Sequence, residues 1–385
     1  MRILFLLDTL GGGGAERSLQ ELLPVFVRRG VEPIVACFHH RKEGVEKLVS
    51  GQYELRFLGN GGRASQVRAV RALLQTERID LMHTTLFEAD VFGRAATLGS
   101  SVPVVTSLVN MPYESARLTH DRNVNRAKLL VARSLEIATG RLFADHFHAI
   151  SHAVKEAAAE KLFIPEQRIT VVHRGRDPAR LGRRTDARRR NARMALGISE
   201  DDVVVLNAAR QEFQKGQRFL LEAFARLPLP RVRLLIAGRA GSATSELQRL
   251  ARPLAERVLF LEHRDDLPEL MAAADIFALP SLWEGLGGVL LEAMALELPI
   301  VASDLAPVRE ITGPADAARL VPPGDASALA DALSEMLRNP QQEAARAERA
   351  RKLFDERYTI DRSGDALFEL FEKTARRRRS NRGQA

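Results

Sequence analysis

Short apolar runs alternate with longer amphipathic segments along almost the whole chain. The runs are typical of buried strands, and segments whose apolar residues recur every three or four positions are typical of helices. In the first half, the runs predict strands at Arg2–Leu7, Pro33–Phe38, Glu54–Leu58, Ile79–His83, Pro103–Leu108 and His146–Ile150. The segments between them predict helices at Ala15–Arg29, Ser65–Gln75, Phe87–Leu98, Asn123–Thr139 and Val154–Leu162.

The same alternation resumes in the second half. It predicts strands at Val203–Asn207, Val232–Ala237, Val258–Leu261, Ile276–Leu279, Ile300–Ala302 and Arg319–Val321. It predicts helices at Gln217–Arg226, Ser245–Ala255, Leu267–Ala273, Val289–Leu296, Pro307–Ile311, Ser327–Leu337 and Gln342–Glu356. Alternating strands and helices predict parallel sheets covered by helices on both faces, so we expect an α/β protein with two Rossmann-like domains.

Polarity rises between Arg174 and Arg193, where glycines and a proline lie among arginines, and we predict a less ordered interdomain linker there. The domains are therefore expected over residues 1–175 and 176–361. A further helical pattern covers Arg362–Ala375, and the arginine-rich end over residues 376–385 is expected to be disordered.

Composition narrows the class of protein. The chain has 385 residues, of which 45% are hydrophobic and 28% charged, values typical of a globular protein with real cores. The single cysteine, Cys37, excludes an internal disulfide framework and fits a reducing compartment. No apolar run is long enough to span a membrane and the amino terminus does not resemble a signal peptide, so we expect a cytoplasmic protein.

The net charge of +8 comes from a surface rich in arginine. Two clusters, at residues 183–193 and 376–379, could attract an anionic membrane surface, which would place the protein peripherally on the inner face of the membrane, or an acidic acceptor. Aromatic residues make up only 5% of the chain and are not interleaved with these clusters. We therefore expect no nucleic-acid partner.

A glycine-rich loop between a predicted strand and a predicted helix indicates an anion site. The strand ends at Pro280, Gly287 and Gly288 follow in the loop, and Val289 begins the helix. Glycines let a ligand approach the backbone closely, and the free N–H groups of a first helical turn favour a phosphate. We predict that the amides of Gly287, Gly288 and Val289 bind a phosphate group.

Two carboxylates flank this loop, Glu284 before the glycines and Glu292 in the helix. A carboxylate touching a phosphate would repel it, so these side chains more plausibly accept hydrogen bonds from hydroxyls at either end of a diphosphate. The pattern therefore suggests a sugar at one end and a ribose at the other.

The stretch Pro-Ser-x-x-Glu-Gly-x-Gly-x-x-x-Leu-Glu-Ala-Met-Ala resembles the signature of the family-4 retaining glycosyltransferases, although Leu286 replaces the usual Phe and Glu297 a usual Gly. The resemblance implies the GT-B fold, in which two Rossmann-like domains face each other across a cleft and the last helix, here Arg362–Ala375, crosses back to the first, acceptor-side domain. It implies that Glu284 contacts the donor sugar and that Glu292 binds the ribose.

The resemblance also implies the substrates. The donor would be a UDP- or GDP-linked sugar bound by the second domain, and the acceptor a glycan or a lipid-linked molecule in cell-envelope polysaccharide or glycolipid synthesis. We expect no cofactor and no metal ion, since the sequence contains neither Asp-x-Asp nor a zinc-ligand spacing.

A second group of candidate site residues follows the strand at Val203–Asn207. Arg210 and Lys215 lie in Ala-Arg-Gln-Glu-Phe-Gln-Lys-Gly, which resembles the family's Gly-Arg-x-x-x-x-Lys-Gly. A diphosphate leaving group without a metal ion must be neutralised by fixed cations. Lys215 is the only lysine between Lys161 and Lys352, in a region crowded with arginine, which favours a specific role for its ammonium group.

The loop after the first strand ends in Gly-Gly-Ala-Glu-Arg, at Gly13 and Gly14, and resembles the family loop that reaches the donor phosphate. A dinucleotide fingerprint is the alternative interpretation. It would require a glycine where Glu16 stands and an acidic residue after the second strand, where His39 begins a basic segment. A nicotinamide-dependent enzyme is therefore not expected.

The histidines give no catalytic assignment. His83 ends a segment that resembles a family segment with His-x-His, but Thr85 replaces the second histidine, and Val109 stands where the family usually has a histidine before Asn110. We name no catalytic histidine.

The sequence thus predicts a retaining hexosyltransferase-type glycosyltransferase, with Arg210, Lys215 and Glu284 at the reacting centre. Two other interpretations stay open. One is a nucleotide-sugar 2-epimerase-like enzyme of the same fold, and the other is a non-catalytic donor-binding subunit.

Overall fold

The computed structural model describes residues 1–41, 44–59, 61–114, 125–227, 230–313 and 316–383. These residues form two compact units. Unit 1 contains the described residues up to Arg176 and those from Ile360 onward, and unit 2 contains Asp177–Thr359.

Unit 1 is built on a parallel sheet of seven strands in the order β3-β2-β1-β4-β5-β6-β7. The strands are β1 (Arg2–Thr9), β2 (Glu32–His39), β3 (Glu54–Phe57), β4 (Leu81–Thr85), β5 (Val104–Leu108), β6 (His146–Ala149) and β7 (Ile169–Val171). The order reverses between β1 and β4, as in a doubly wound fold. The sequence analysis missed β7, which has only three residues and extends the sheet beyond β6.

The helices of unit 1 cover both faces of this sheet. They are α1 (Gly14–Arg28), α2 (Glu46–Ser50), α3 (Arg63–Thr76), a π-helical turn at Ala89–Gly93 that continues into α4 (Arg94–Ala96), α5 (Arg126–Phe143), α6 (His152–Leu162) and a 3-10 turn at Glu166–Arg168. Where the sequence predicts one regular helix at residues 87–98, the structure has the π turn followed by the short α4.

The last helix of the chain belongs to unit 1 and packs on α1. Phe371 is fully buried and its ring lies 5.6 Å from that of Phe26 and 6.3 Å from that of Phe5. Burying such a ring contributes about 1.5–3 kcal/mol, and each aromatic pair about 0.5–1.5 kcal/mol more. The structure therefore confirms that the carboxyl-terminal helix returns to the first Rossmann-like unit.

Unit 2 repeats the architecture with six parallel strands in the order β10-β9-β8-β11-β12-β13. These are β8 (Val203–Ala208), β9 (Val232–Ala237), β10 (Val258–Leu261), β11 (Ile276–Leu279), β12 (Ile300–Ser303) and β13 (Arg319–Val321). Every strand lies within a residue or two of its prediction, because each is a mostly apolar run buried between helices.

The helices of unit 2 follow the same alternation. They are α7 (Pro178–Leu181), α8 (Asp186–Leu196), a 3-10 turn at Phe213–Lys215, α9 (Gln217–Ala225), α10 (Thr244–Ala251), a 3-10 segment at Arg252–Arg257, α11 (Leu267–Ala273), α12 (Gly288–Ala295), α13 (Ala306–Thr312), α14 (Ala326–Arg338) and α15 (Pro340–Arg357). The last helix of the chain, in unit 1, is α16 (Ile360–Gly383). None of the described helices is both long enough and apolar enough to cross a membrane.

The prediction of a poorly ordered linker at Arg174–Arg193 is wrong. Much of this stretch is helical, in α7 and α8, and the side chain of Arg193 is completely buried. Its Nη2 lies 2.6 Å from Asp275 Oδ2, and Arg189 Nη2 lies 3.0 Å from Asp275 Oδ1. Arg188 pairs with Glu269 at 2.8 Å. These three arginines therefore bind α8 to α11 and to the residue before β11.

The prediction of a disordered tail is also wrong, because residues 376–383 continue α16 to Gly383, and residues 384 and 385 lie outside the described part of the chain. Arg378 Nη1 lies 2.9 Å from Asp145 Oδ1, and Arg376 Nη2 lies 3.1 Å from Glu372 Oε1. Arg379 pairs with Asp80. Three of the four arginines in the second cluster thus form ion pairs within unit 1, and the side chains of Arg376 and Arg379 stay mostly exposed. The attraction to anionic lipid stays a prediction.

Candidate functional site

The candidate site of unit 2 lies where its strand order reverses. β8 is followed in sequence by β9 and β10 on one side, and the chain then crosses to β11 on the other side of β8. The loops that leave the carboxyl ends of β8 and β11 therefore meet, and in open parallel sheets such a switch point is where ligands bind. The first loop carries Arg210 and Lys215, and the second carries Glu284 and Gly287.

Lys215 and Glu284 contact each other directly. Lys215 Nζ donates to Glu284 Oε1 over 2.6 Å, and Ser281 Oγ donates to the same oxygen over 2.8 Å. The lysine side chain is 18% exposed and that of the glutamate 8%, so the ion pair lies mostly out of water. The motifs suggest separate roles for the two residues, whereas in the structure they form one ion pair with no net charge.

The backbones of the two loops are joined independently of this pair. Leu282 N donates to Gln214 O over 2.8 Å, and Gln214 Nε2 donates to Trp283 O over 2.8 Å. Gly216 has φ +62°, and a Cβ placed on it would lie 1.9 Å from Pro280 O. A side chain at position 216 is excluded, so the glycine after Lys215 is required for the close approach of the two loops.

Gly287 and Gly288 form the start of α12. Gly287 has φ +78°, a left-handed conformation that favours glycine, and Gly288 is the first helical residue. No described side chain caps this helix start. Leu290 N donates to Gly287 O over 2.8 Å, which leaves the N–H groups of Gly288 and Val289 for another acceptor. The structure thus places the three predicted amides at one helix end, in the geometry that favours an anion.

Glu292 lies one turn further along α12 and is 8% exposed. Arg210 is exposed and forms no ion pair with any residue that the structure describes. The loops therefore combine a paired cation, a cation without an internal carboxylate partner and an amide-lined helix end. Among the described residues, no group of three His, Cys, Asp or Glu side chains could hold a metal ion.

Sequence reasoning missed two buried amides that join β8 to its neighbours. Asn207 Nδ2 donates to Ala278 O over 2.9 Å, and Gln217 Nε2 donates to Asn207 Oδ1 over 3.0 Å. Both residues are almost inaccessible to solvent. The sequence indicates Asn207 only as a polar residue that ends the apolar run Val-Val-Val-Leu-Asn. Its hydrogen bonds to Ala278 and Gln217 hold β8 beside β11 at the site.

Gly13 and Gly14, the other predicted site residues, lie in unit 1 at the start of α1. A Cβ at position 13 would lie 2.5 Å from Glu16 Oε2, and one at position 14 would lie 2.9 Å from Arg174 Nη1. Both atoms are the ends of flexible side chains within unit 1, so these distances alone do not require glycine at positions 13 and 14.

Asp8, near the end of β1, is a partly buried polar group at the strand-order reversal of unit 1. It accepts hydrogen bonds from the backbone amides of Ala89 over 2.7 Å and of Glu88 over 3.2 Å. Burial raises the pKa of Asp8 to about 6, although these two amide bonds and His39 favour the charged form.

His83 belongs to a buried chain of hydrogen bonds in unit 1. His148 Nε2 donates to Val172 O over 2.9 Å, so its Nδ1 accepts from Ser107 Oγ over 2.6 Å. The Ser107 oxygen can then accept from His83 Nε2 over 2.9 Å. Burial lowers the pKa of His83 to about 3 and that of His148 to about 4. Both imidazoles are neutral at pH 7 and hold β4, β5 and β6 in register.

Comparison with known proteins assigns this architecture to a family. The family model described as Glycosyltransferase Family 4 matches residues 12–180, and the model described as Glycosyl transferases group 1 matches residues 188–353. The chain belongs to glycosyltransferase family 4. Its fold matches the crystal structure of Anabaena HepE in complex with UDP-glucose, with a TM-score of 0.83 and 26% identity over 97% of this chain and 100% of HepE. This family-4 chain therefore has the GT-B fold.

Curated relatives of this glycosyltransferase match over part of their length. Alpha-D-kanosaminyltransferase of Streptomyces kanamyceticus is 30% identical over 242 residues, which are 58% of this chain and 62% of the relative. UDP-Gal:alpha-D-GlcNAc-diphosphoundecaprenol alpha-1,3-galactosyltransferase of Escherichia coli is 27% identical over 245 residues, 60% of each protein. The chain thus spans about three fifths of the length of these relatives.

Proposed function

We propose that the protein is a retaining glycosyltransferase. It transfers a sugar from a nucleotide diphosphate sugar to a hydroxyl of a glycan or a lipid-linked acceptor, in the synthesis of a cell-envelope polysaccharide or glycolipid, without a metal ion or another cofactor. The observation that carries the proposal is the Lys215–Glu284 pair beside the amide-lined start of α12, at the switch point of unit 2. The structurally similar HepE was crystallised in complex with UDP-glucose, which supports a UDP-linked sugar as the first donor to test and GDP-linked sugars as the second.

The roles that we assign follow the charges of these groups. The helix-start amides of Gly287, Gly288 and Val289 bind the diphosphate, and Arg210, which has no internal carboxylate partner among the described residues, adds a full positive charge. Glu292 accepts hydrogen bonds from the ribose hydroxyls.

The ion pair has a specific part in this proposal. A bound diphosphate attracts the Lys215 ammonium, and the Glu284 carboxylate then accepts hydrogen bonds from the sugar hydroxyls. In the transfer step the bond between the anomeric carbon and the phosphate oxygen breaks, and a bond forms from that carbon to the acceptor oxygen. The leaving diphosphate takes the electron pair of the broken bond and accepts the acceptor's proton, while the fixed cations stabilise its developing charge.

Product analysis tests the proposed reaction. The full chain is incubated with UDP- and GDP-linked hexoses and a panel of glycan and lipid-linked acceptors, in the presence of a chelator. We expect a glycosylated product by mass spectrometry, with the donor's anomeric configuration by NMR. Free nucleotide-sugar isomers would instead identify an epimerase. Donor binding without hydrolysis or transfer over the whole panel would identify a non-catalytic subunit.

Matched variants test the residue roles. Each charge-assisted hydrogen bond lost costs about 1.5–3 kcal/mol, so Lys215→Ala and Glu292→Ala should each weaken donor use about 10- to 150-fold. Glu297→Ala is the control, since this glutamate is exposed and lies in the turn after α12. If Glu292→Ala and Glu297→Ala had the same small effect on the Kd of UDP, the ribose assignment would be wrong.

A further inference from the structure

Helix α5 of unit 1 carries an apolar stripe on the face that it turns to solvent. Its members recur every three or four positions and are all exposed: Val131, Leu135, Ala138 and Leu142. Val131 is 61% exposed and Leu142 71%. The outer face of a surface helix normally carries polar and charged side chains, and a contiguous apolar patch there marks an interaction site. Packing within unit 1 therefore does not account for the stripe.

The charges of α5 are arranged around this stripe. With 3.6 residues per turn, Lys128 lies on one side of the stripe and Arg141 on the other, and both are exposed. The single carboxylate of the helix, that of Glu136, is turned away from the stripe and accepts a hydrogen bond from the Tyr113 hydroxyl. Because the outer face of α5 has cations and no acid, its charge complements an anionic surface.

An aromatic residue in an unfavourable conformation lies beside α5. Phe163, which follows α6, has φ +54°, a left-handed conformation usually taken by glycine or asparagine, and it is 70% exposed. Arg133 of α5 donates from Nε to Lys161 O over 2.6 Å, and its guanidinium carbon lies 5.5 Å from the centre of the Phe163 ring. The conformation costs free energy and the ring is mostly in water, so folding alone does not account for phenylalanine at this position.

The charges also decide between the surfaces that could cover this face. A second copy of the chain in a twofold contact would bring the cations of one α5 towards those of the other, with no exposed carboxylate on the helix to pair with them. A membrane surface takes apolar side chains between its head groups, places cations against anionic phosphates and accommodates aromatic rings at the boundary with water. This combination matches α5 and Phe163.

We propose that the outer face of α5, together with Phe163, docks unit 1 on a membrane surface that contains anionic phospholipid. The helix lies in the plane of the interface, with Val131 and Leu142 among the head groups and with Lys128 and Arg141 against phosphates. This surface is distinct from both arginine clusters. The docking goes beyond the proposed glycosyl transfer and does not depend on it, because it needs neither a nucleotide sugar nor an acceptor.

Sedimentation of the full chain with lipid vesicles tests the docking. The vesicles contain phosphatidylcholine alone or with about one third phosphatidylglycerol, at low and at high salt, without a nucleotide sugar or an acceptor. We expect binding to the anionic vesicles that weakens about tenfold or more at high salt or without phosphatidylglycerol. No binding to the anionic vesicles, or equal binding to both kinds, would overturn the proposal.

Matched variants test the apolar stripe. Leu142→Gln should weaken binding to anionic vesicles about tenfold or more, because an apolar side chain no longer enters the interface. Met194→Gln is the control, since Met194 is 76% exposed but lies on α8 of unit 2. Both side chains are in water, so both variants should keep the circular dichroism of the original chain. Equal vesicle binding by the two variants would show that the stripe is not the docking face.

A second pair of variants tests the charges beside the stripe. Combining Lys128→Gln with Arg141→Gln should weaken binding about 30-fold, which corresponds to about fivefold for each cation at an anionic surface. The control combines Arg63→Gln with Arg68→Gln, which removes two exposed cations from α3 and should leave binding unchanged. An equal loss in both double variants would mean that only net charge matters, against the proposal.

Phe163→Asn separates docking from folding. Asparagine adopts the left-handed conformation more readily, so the urea midpoint by circular dichroism should not fall, whereas vesicle binding should weaken about fivefold or more. A lower urea midpoint with unchanged vesicle binding would show that the ring serves folding. Sedimentation velocity without vesicles gives the remaining outcome. A dimer of the original chain that Leu142→Gln dissociates would assign the face to a second copy and refute membrane docking.

Discussion

The contact between Lys215 and Glu284 predicts a measurable coupling in the stability of unit 2. The two side chains are 2.6 Å apart and mostly buried, so Lys215→Met removes a charge-assisted hydrogen bond and leaves a largely buried carboxylate with the Ser281 hydroxyl as its remaining side-chain donor among the described contacts. Such a bond contributes about 1.5–3 kcal/mol. Fully buried pairs reach about 3–5 kcal/mol, and the 18% exposure of the lysine places this pair in the lower range.

A double-mutant cycle isolates this contact from other effects of each change. Lys215→Met, Glu284→Gln and the double variant are unfolded in urea and followed by the fluorescence of Trp283, the single tryptophan of the chain. Trp283 belongs to unit 2 and its carbonyl accepts from Gln214, so its signal reports on the unit that contains the pair.

We expect the double variant to be more stable than the sum of the single changes predicts, with a coupling of about 1–2 kcal/mol. Because glutamine keeps an acceptor for Ser281, Glu284→Gln alone should have the smaller effect. Additivity within about 0.3–0.5 kcal/mol would show that the pair does not contribute to folding and that the two residues do not act as a unit.

Three further changes test other parts of the structure. Gly216→Ala should lower the free energy of unfolding of unit 2 strongly in urea, because the added Cβ would lie 1.9 Å from Pro280 O. The control Gly197→Ala has a similar φ of +66° but no atom within 4 Å, so it should cost only about 1 kcal/mol. Equal effects would contradict the close approach of the two loops. Asp275→Asn should cost about 1.5–3 kcal/mol, because buried Arg193 loses its carboxylate partner and the 25% exposure of Asp275 keeps this pair below the range of fully buried pairs. A change in urea midpoint no larger than that of a surface variant would refute this. Because the folded-state pKa of Asp8 is raised from 3.8 to about 6, the folded form holds its proton more tightly. The free energy of unfolding should therefore fall by about 2 kcal/mol as the pH rises from 4 to 6, and Asp8→Asn should flatten this slope.

The strands of unit 2 could be predicted because local pattern alone decides them. Val203–Asn207 differs from β8 only at its last residue, since a short run rich in valine between polar segments fits a buried strand better than a helix. Short β7, with a threonine between two apolar residues, has no such pattern and depends on pairing with β6.

The errors at the arginines have a different cause. A sequence shows that Arg193 is charged, but it does not show that Asp275, 82 positions later, supplies the opposite charge in a buried position. The same holds for Arg378 and Asp145, which are 233 positions apart. Charge pairing over such separations is decided by tertiary structure, so the sequence alone predicts a solvated or disordered run of arginines where the structure has packed helices.

The candidate site contains features that local sequence decides and one contact that tertiary structure decides. The glycines and the helix start at Gly288 follow from local sequence, within one residue of the predicted helix. The pairing of Lys215 with Glu284 follows from the adjacency of β8 and β11, which lies in the strand order and cannot be read from either motif alone. The motifs therefore name Lys215 and Glu284, and the topology defines their contact.

The return of α16 to unit 1 has a consequence for the order in which the protein is completed during synthesis. Unit 2 is a continuous stretch, Asp177–Thr359, whereas the core around Phe5 and Phe26 needs Phe371 from the last helix. On the ribosome, the sequence of unit 2 is therefore complete before that of unit 1, although translation of unit 1 begins first. A nascent chain that stops before Ile360 would leave the apolar face of α1 in contact with water, which makes it a substrate for chaperones.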